Sequence, residues 1–125
     1  MGRIRQMINV NGRECWTLFD TGARNTYVIP EVASLLTTSR LKKPFRSAIG
    51  GEVKKTTETA LLEAEIEGKR ISTHAMVIDK IGNDEDERPH EILFGALAMQ
   101  QWGIRLIPDK EILDLTHYPE EFVEF

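Results

Sequence analysis

Asp20-Thr21-Gly22-Ala23 is the segment whose residue types could do chemistry, and it occurs once. It lies between an apolar run, Cys15-Trp16-Thr17-Leu18-Phe19, and a second one, Tyr27-Val28-Ile29. An acid, a small hydroxyl residue and a glycine at a strand end suit carboxylate-based hydrolysis. Two carboxylates sharing one proton can activate a water and protonate a leaving amine. The other aspartates, Asp79, Asp84, Asp86, Asp109 and Asp114, stand in no comparable setting. Chemistry of this kind therefore needs its second carboxylate from a second copy of the chain. Taken alone, the tetrapeptide also fits an exposed turn, since turns favour Asp and Gly.

Other reactive constellations are weak. His74, His90 and His117 are far apart, with no i, i+4 pair and no cysteine partner, which argues against zinc. Asp84 and Asp86 could meet a hard cation, but the glycine and downstream glutamate of an EF-hand are not at the required offsets. Ser34, Ser39, Ser47 and Ser72 lack a Gly-x-Ser-x-Gly context. No metal and no cofactor is expected.

The elements that must position Asp20 read as many short strands with two short helices. Ile4, Gln6, Ile8 and Val10 alternate with Arg5, Met7 and Asn9, as in a strand with one buried face. Asn11-Gly12 is a hairpin signal, because both residues tolerate positive φ. Arg13 to Phe19 returns as the second strand and delivers Asp20. Thr26 to Ile29 is β-prone, and Pro30 opens a helix running through Leu36. Lys42 to Ile49 is extended up to a tight turn at Gly50-Gly51. Val53 to Ile66 and Ile71 to Ile78 form a hairpin about Glu67-Gly68-Lys69. Residues 82–88 read as a solvated loop. Ile92-Leu93-Phe94-Gly95 is a short apolar strand, Ala96 to Trp102 a helix stopped by Gly103. Ile104 to Ile107 and Glu111 to Leu115 flank a Pro108-Asp109 turn. Residues 117–125 form an acidic tail with Tyr118, Phe122 and Phe125, whose aromatics should dock on this chain or on a partner.

Composition bounds the rest. A chain of 125 residues, 41 % hydrophobic and 29 % charged, is one globular domain, taken as 1–116 with the tail 117–125 appended. No window approaches the ~18 apolar residues of a membrane span, and the start lacks the apolar core of a signal peptide. The single cysteine, Cys15, reads as a buried structural thiol and fits a reducing, cytoplasmic setting. A net charge of −4 gives no case for nucleic acid or an anionic membrane as partner.

Two motifs in order carry a resemblance. Asp20-Thr21-Gly22-Ala23-Arg24-Asn25-Thr26 between two strands resembles the active-site loop of the retropepsin-like single-domain aspartic proteases. Ile92-Leu93-Phe94-Gly95-Ala96, then a helix and Gly103-Ile104-Arg105-Leu106, resembles the second half of that fold. Ile49-Gly50-Gly51 stands where the family has its flap turn. The likeness runs from about Ile4 to about Leu115 and is nearest the small bacterial and archaeal members.

The resemblance implies an all-β fold, a closed barrel with one or two short helices, active as a symmetric homodimer on peptide or protein substrates. Asp20 of each copy would supply the dyad, with a mildly acidic optimum because the pair must hold one proton. Thr21 would brace the two loops across the dimer axis. Gly22 and Ala23 keep the loop slim where substrate passes, and the Gly22 carbonyl would accept a substrate amide. Ile49, Gly50 and Gly51 would close over the peptide. Ile92 and Phe94 would wall the substrate pocket beside Leu93, and Gly95 would permit close backbone packing. Arg24 departs from the viral pattern, which often has an acid there. An arginine at that position would favour acidic side chains, or, if aimed at the dyad, would oppose proton sharing. A non-catalytic module for dimerisation or peptide binding on the same fold is the alternative; a regulatory subunit docking through the tail is a third.

Overall fold

A computed structural model describes residues 2–124. Three hairpins set its plan. Strand β1 (Arg3–Val10) returns as β2 (Arg13–Asp20), β4 (Thr37–Ile49) as β5 (Glu52–Ile66), and β5 as β6 (Lys69–Val77). Each turn has two residues, Asn11-Gly12, Gly50-Gly51 and Glu67-Gly68, all with positive φ. That is the geometry whose twist matches paired strands.

Strand β3 (Tyr27–Val28) and helix α1 (Pro30–Ala33) follow the first hairpin, and strand β7 (Ile92–Phe94) and helix α2 (Ala96–Trp102) follow β6. One sheet runs in the order β1-β2-β7-β3-β6-β5-β4. It curls until β1 meets β5 at a single pair, Asn9 opposite Glu65. The closure expected of a barrel is thus confined to that pair, and the class is a mostly β, strongly curled sheet. A separate ribbon, β8 (Arg105–Ile107) with β9 (Ile112–Asp114), is joined by a 3-10 turn at Pro108–Lys110.

Strand alternation divides the apolar residues between two clusters. Ile4, Ile8, Val10, Cys15, Phe19, Ile92 and Phe94 join the main core, where Phe19 and Phe94 lie 5.0 Å apart between ring centroids. Leu18, Tyr27, Ile78 and Leu93 form a smaller cluster on the other side. Cys15 is fully buried as expected, and burial pushes its thiol up to about 11.

One element differs from expectation, and the tail docks on its own chain, Phe125 lying outside the described residues. Helix α1 is a single turn, because Ser34 and Leu35 leave it and β4 begins at Thr37, earlier than the expected Lys42. The described tail residues, 117–124, form no strand. Instead Tyr118 stacks on Trp102 at 5.9 Å and donates its hydroxyl to the Arg70 carbonyl, while Phe122 meets the same indole edge-on at 5.7 Å. Burying aromatic area on Trp102 explains why an otherwise acidic segment docks on its own chain.

Candidate active site

Strand β2 ends at Asp20, which points to the same face as Leu18 and so stands beside the smaller cluster. Asp20 as a whole residue is 7 % exposed. Its Oδ1 accepts the Gly22 N–H at 2.8 Å, and its Oδ2 accepts the Nε–H of Arg3 at 3.0 Å. The first bond belongs to the loop itself; the second follows from register. A two-residue turn places Val10 opposite Arg13, and counting outward places Arg3 opposite Asp20.

The loop after Asp20 is held from two sides. On one, Thr21 donates its N–H to the Gly2 carbonyl at 3.1 Å and accepts the Gly2 N–H on its hydroxyl at 2.9 Å. On the other, the start of α2 reaches up: Ala96 N–H donates to the Ala23 carbonyl at 2.7 Å and Leu97 N–H to that of Arg24 at 3.1 Å. Gly95 N–H donates to the buried Thr26 hydroxyl at 3.1 Å. A Cβ on Gly95 would lie 2.2 Å from the Asn25 carbonyl oxygen, so only glycine admits this approach. Strand β7 carries this junction, parallel to β2 and antiparallel to β3, between the two arms of the loop.

The β4–β5 ribbon covers the site. Its ladder with β6 starts at Thr59, opposite Met76, so the outer part is two-stranded. Ile49 packs against the smaller cluster, and the Tyr27 hydroxyl donates to Ser47 Oγ at 3.0 Å. Gly50 and Gly51 form the exposed tip. Lys54 ties the ribbon down, with its ammonium 3.0 Å from Glu52 and 3.1 Å from Asp79 in the segment after β6. Hydrogen bonding to Glu52 and then Asp79 raises Lys54 above its ordinary range, and the Lys54 hydrogen bond lowers Asp79.

The sequence candidates thus separate. Ala23 and Ile49 pack against the smaller cluster beside Asp20; Thr21 and Gly22 lie exposed in the loop that follows it, and Gly50 and Gly51 form the exposed tip of the ribbon. Ile92 and Phe94 lie elsewhere: both are fully buried in the main core, and Leu93 between them belongs to the smaller cluster. Period-two alternation decides this, since a strand cannot present consecutive residues to one face. Arg24 is exposed and lines a hollow with Leu61, His74 and Gln101. The cation on Asp20 is Arg3, which motif reading missed and hairpin register could have found. Tyr27 and Lys54 were missed as well.

The acidic loop is more organised than a solvated segment. Asp84 Oδ1 accepts the N–H groups of Asp86 and Arg88, each at 2.9 Å, and its Oδ2 accepts the Trp16 indole N–H at 3.0 Å. Those donors, Arg88 first, hold Asp84 below the usual carboxylate range. Arg88 in turn lies over the Trp16 ring at 4.6 Å. Beside it His90, 3 % exposed, accepts the Arg5 Nε–H on Nε2 at 3.0 Å; burial and then the Arg5 charge depress its basicity.

The profile of the family described as aspartyl protease matches residues 7–97, from within β1 to the start of α2. No curated protein matches the chain. Among solved structures, the retroviral protease-like domain of Ddi1 from Leishmania major is similar at 13 % identity and a TM-score of 0.64, over 98 % of this chain and 99 % of that one. The EIAV protease complexed with the inhibitor HBY-793 is similar at 19 % identity and 0.61, over 84 % of this chain and 92 % of that one. These likenesses show a retropepsin-like fold. With Asp20 and its loop inside the matched residues, the chain belongs to the aspartyl protease family.

Proposed function

We propose that the chain is an aspartic endopeptidase in which Asp20 from each of two copies forms the catalytic pair. The setting of Asp20 carries this reading: a nearly buried carboxylate, with both oxygens hydrogen-bonded, at the end of an apolar strand beneath a two-stranded ribbon. One carboxylate takes a proton from water while the other gives its proton to the scissile carbonyl oxygen, and hydroxide adds to the carbonyl carbon. The C–N bond then breaks as the amine nitrogen takes the proton held by the pair and a hydroxyl of the gem-diol gives its proton to the other carboxylate, so that the pair again shares one proton. One water is consumed and no covalent intermediate forms. The Gly22 carbonyl would accept a substrate amide, and Ile49, Gly50 and Gly51 would close over the peptide. A mildly acidic optimum follows from the shared proton.

The test is digestion of a peptide library at several pH values by the wild type and by Asp20→Asn. Cleavage by the first and none by a folded, dimeric second is the expected result. Equal turnover by the variant overturns the mechanism.

A second reading, a non-catalytic dimerisation or peptide-binding module, is favoured by one observation. Within a single chain Arg3 already engages Asp20 Oδ2, and Thr21 already engages Gly2. A dimer that binds peptides but cleaves none across the pH series selects this reading.

A further inference from the structure

The residues of the β4–β5 ribbon are charged unlike the rest of the chain. Residues 37–58 hold six basic residues (Arg40, Lys42, Lys43, Arg46, Lys54 and Lys55) and two acidic ones, Glu52 and Glu58. The whole chain nevertheless carries a net −4. Of the six, Lys54 is bound to Glu52 and Asp79, and Arg40 stands opposite Glu58. Lys42, Lys43, Arg46 and Lys55 are exposed and enter none of the ion pairs among the described residues.

Two of these four have a folding rationale. Lys42 and Lys43, with Pro44, lie where the β4 register shifts on the free edge of the sheet, and charge, proline and a bulge there keep other strands off. Arg46 and Lys55 are different. They stand directly opposite each other across the β4–β5 ladder, where like charges are destabilising. By alternation they share the outer face with Ala48 and Val53, while Ser47, Ile49 and Lys54 turn to the inner face, where Ile49 meets the smaller cluster. Val53 is 62 % exposed. The outer face is therefore a pair of mutually repelling cations beside an uncovered apolar side chain.

We propose that this face is a docking site for an acidic polypeptide segment carrying an apolar residue, and that it draws substrate proteins by a stretch flanking the bond to be cut. The substrate role rests on the peptidase reading above; the docking itself does not. Carboxylates of such a segment would relieve the Arg46–Lys55 repulsion, and its apolar residue would cover Val53. A long nucleic acid fits less well. Four exposed cations on a short ribbon offer few phosphate contacts, and the residues outside 37–58 hold ten basic against eighteen acidic side chains, which repel a polyanion running past the patch.

The experiment uses the full chain with Asp20→Asn, so that binding is read without turnover. A fluorescent ten-residue peptide of Glu and Asp around a central Leu is titrated beside its Gln and Asn counterpart and a single-stranded oligonucleotide. The acidic peptide should bind about tenfold more tightly than the neutral one, a preference that ~0.5 M KCl removes. Arg46→Gln with Lys55→Gln should abolish the preference without lowering the melting temperature, because it deletes a repulsion. Lys42→Gln with Lys43→Gln supplies an independent loss of charge and should weaken binding less. Equal binding of both peptides, tighter binding of the oligonucleotide, or a preference that survives Arg46→Gln/Lys55→Gln overturns the proposal. Failure of wild-type protein to cleave any peptide, with docking intact, removes the peptidase reading and the substrate role that rests on it, and leaves the docking site standing.

Discussion

Arg3 and Asp20 face each other at the open ends of β1 and β2, and the guanidinium Nε lies 3.0 Å from Oδ2. The Arg3 side chain is 62 % exposed and that of Asp20 10 %. Water screens such a half-exposed pair, so it contributes little to stability but fixes the direction of a carboxylate that has only one other donor. Arg3→Leu is expected to change stability by less than ~1 kcal/mol. Turnover, under the peptidase reading, should fall by about tenfold as Asp20 loses one of its two anchors. Chemical denaturation beside peptide kinetics separates the two effects. A large loss of stability, or unchanged kcat, contradicts this role.

Gly95 is the second point of failure. The first atom of any side chain there meets the Asn25 carbonyl at 2.2 Å, and both groups are backbone. Gly95→Ala must push the Asp20 loop off the start of α2 and break the bonds from Ala96 and Leu97. We expect a cost of about 3 kcal/mol or more, from a clash that no rotamer relieves. Urea melts measure it directly; a loss below ~1 kcal/mol would mean that the loop and helix are not locked together.

His90 gives stability a pH dependence of known sign. In the folded chain burial and Arg5 keep it neutral, and Asp84 is the charge that opposes them. The unfolded chain protonates a histidine near pH 6.5. Below that pH the unfolded state therefore binds more protons, and stability falls as pH drops through the depressed folded value. Above about 6.5 the contribution is complete. His90→Gln should flatten the difference between denaturation midpoints near pH 7.5 and near pH 5. An unchanged slope would place the dependence elsewhere.

The Lys54–Asp79 pair should persist into mild acid. Asp79 is held below its ordinary value by Lys54, so the contact is lost only as pH falls beneath the range of a free aspartate. Lys54→Met unties the ribbon at every pH where the wild type holds it. The expected readout is a raised KM for peptides and faster backbone exchange in residues 40–58, with melting temperature little altered. Exchange equal to the wild type would show that Ile49 and Tyr27 hold the ribbon alone.

Much of this was legible in the sequence because local chemistry and global fold agree. Asn-Gly, Gly-Gly and Glu-Gly turns located all three hairpins, and Pro30 and Gly103 marked one end of each helix. Asp20 stood out because the run before it is apolar. The misassigned residues share a cause: motifs were read as strings when their faces mattered. The resemblance implies that Ile92 and Phe94 wall a pocket, yet alternation sends them to the main core and leaves Leu93 in the smaller cluster. Arg24 drew attention by adjacency, while Arg3, seventeen positions earlier, reaches Asp20 across the ladder. Lys54–Asp79 and Trp102–Tyr118 depend on tertiary approach between segments with no local signal.

The two-stranded ribbon shares its ladder with β6 only from Thr59 onward. Unzipping it breaks no hydrogen bond of the core ladders, so it can open and reclose as its own unit. Residues there answer to what they touch outside the molecule more than to the integrity of the domain. Such a division leaves recognition free to drift across a lineage, while the Asp20 loop, locked under Gly95, stays fixed.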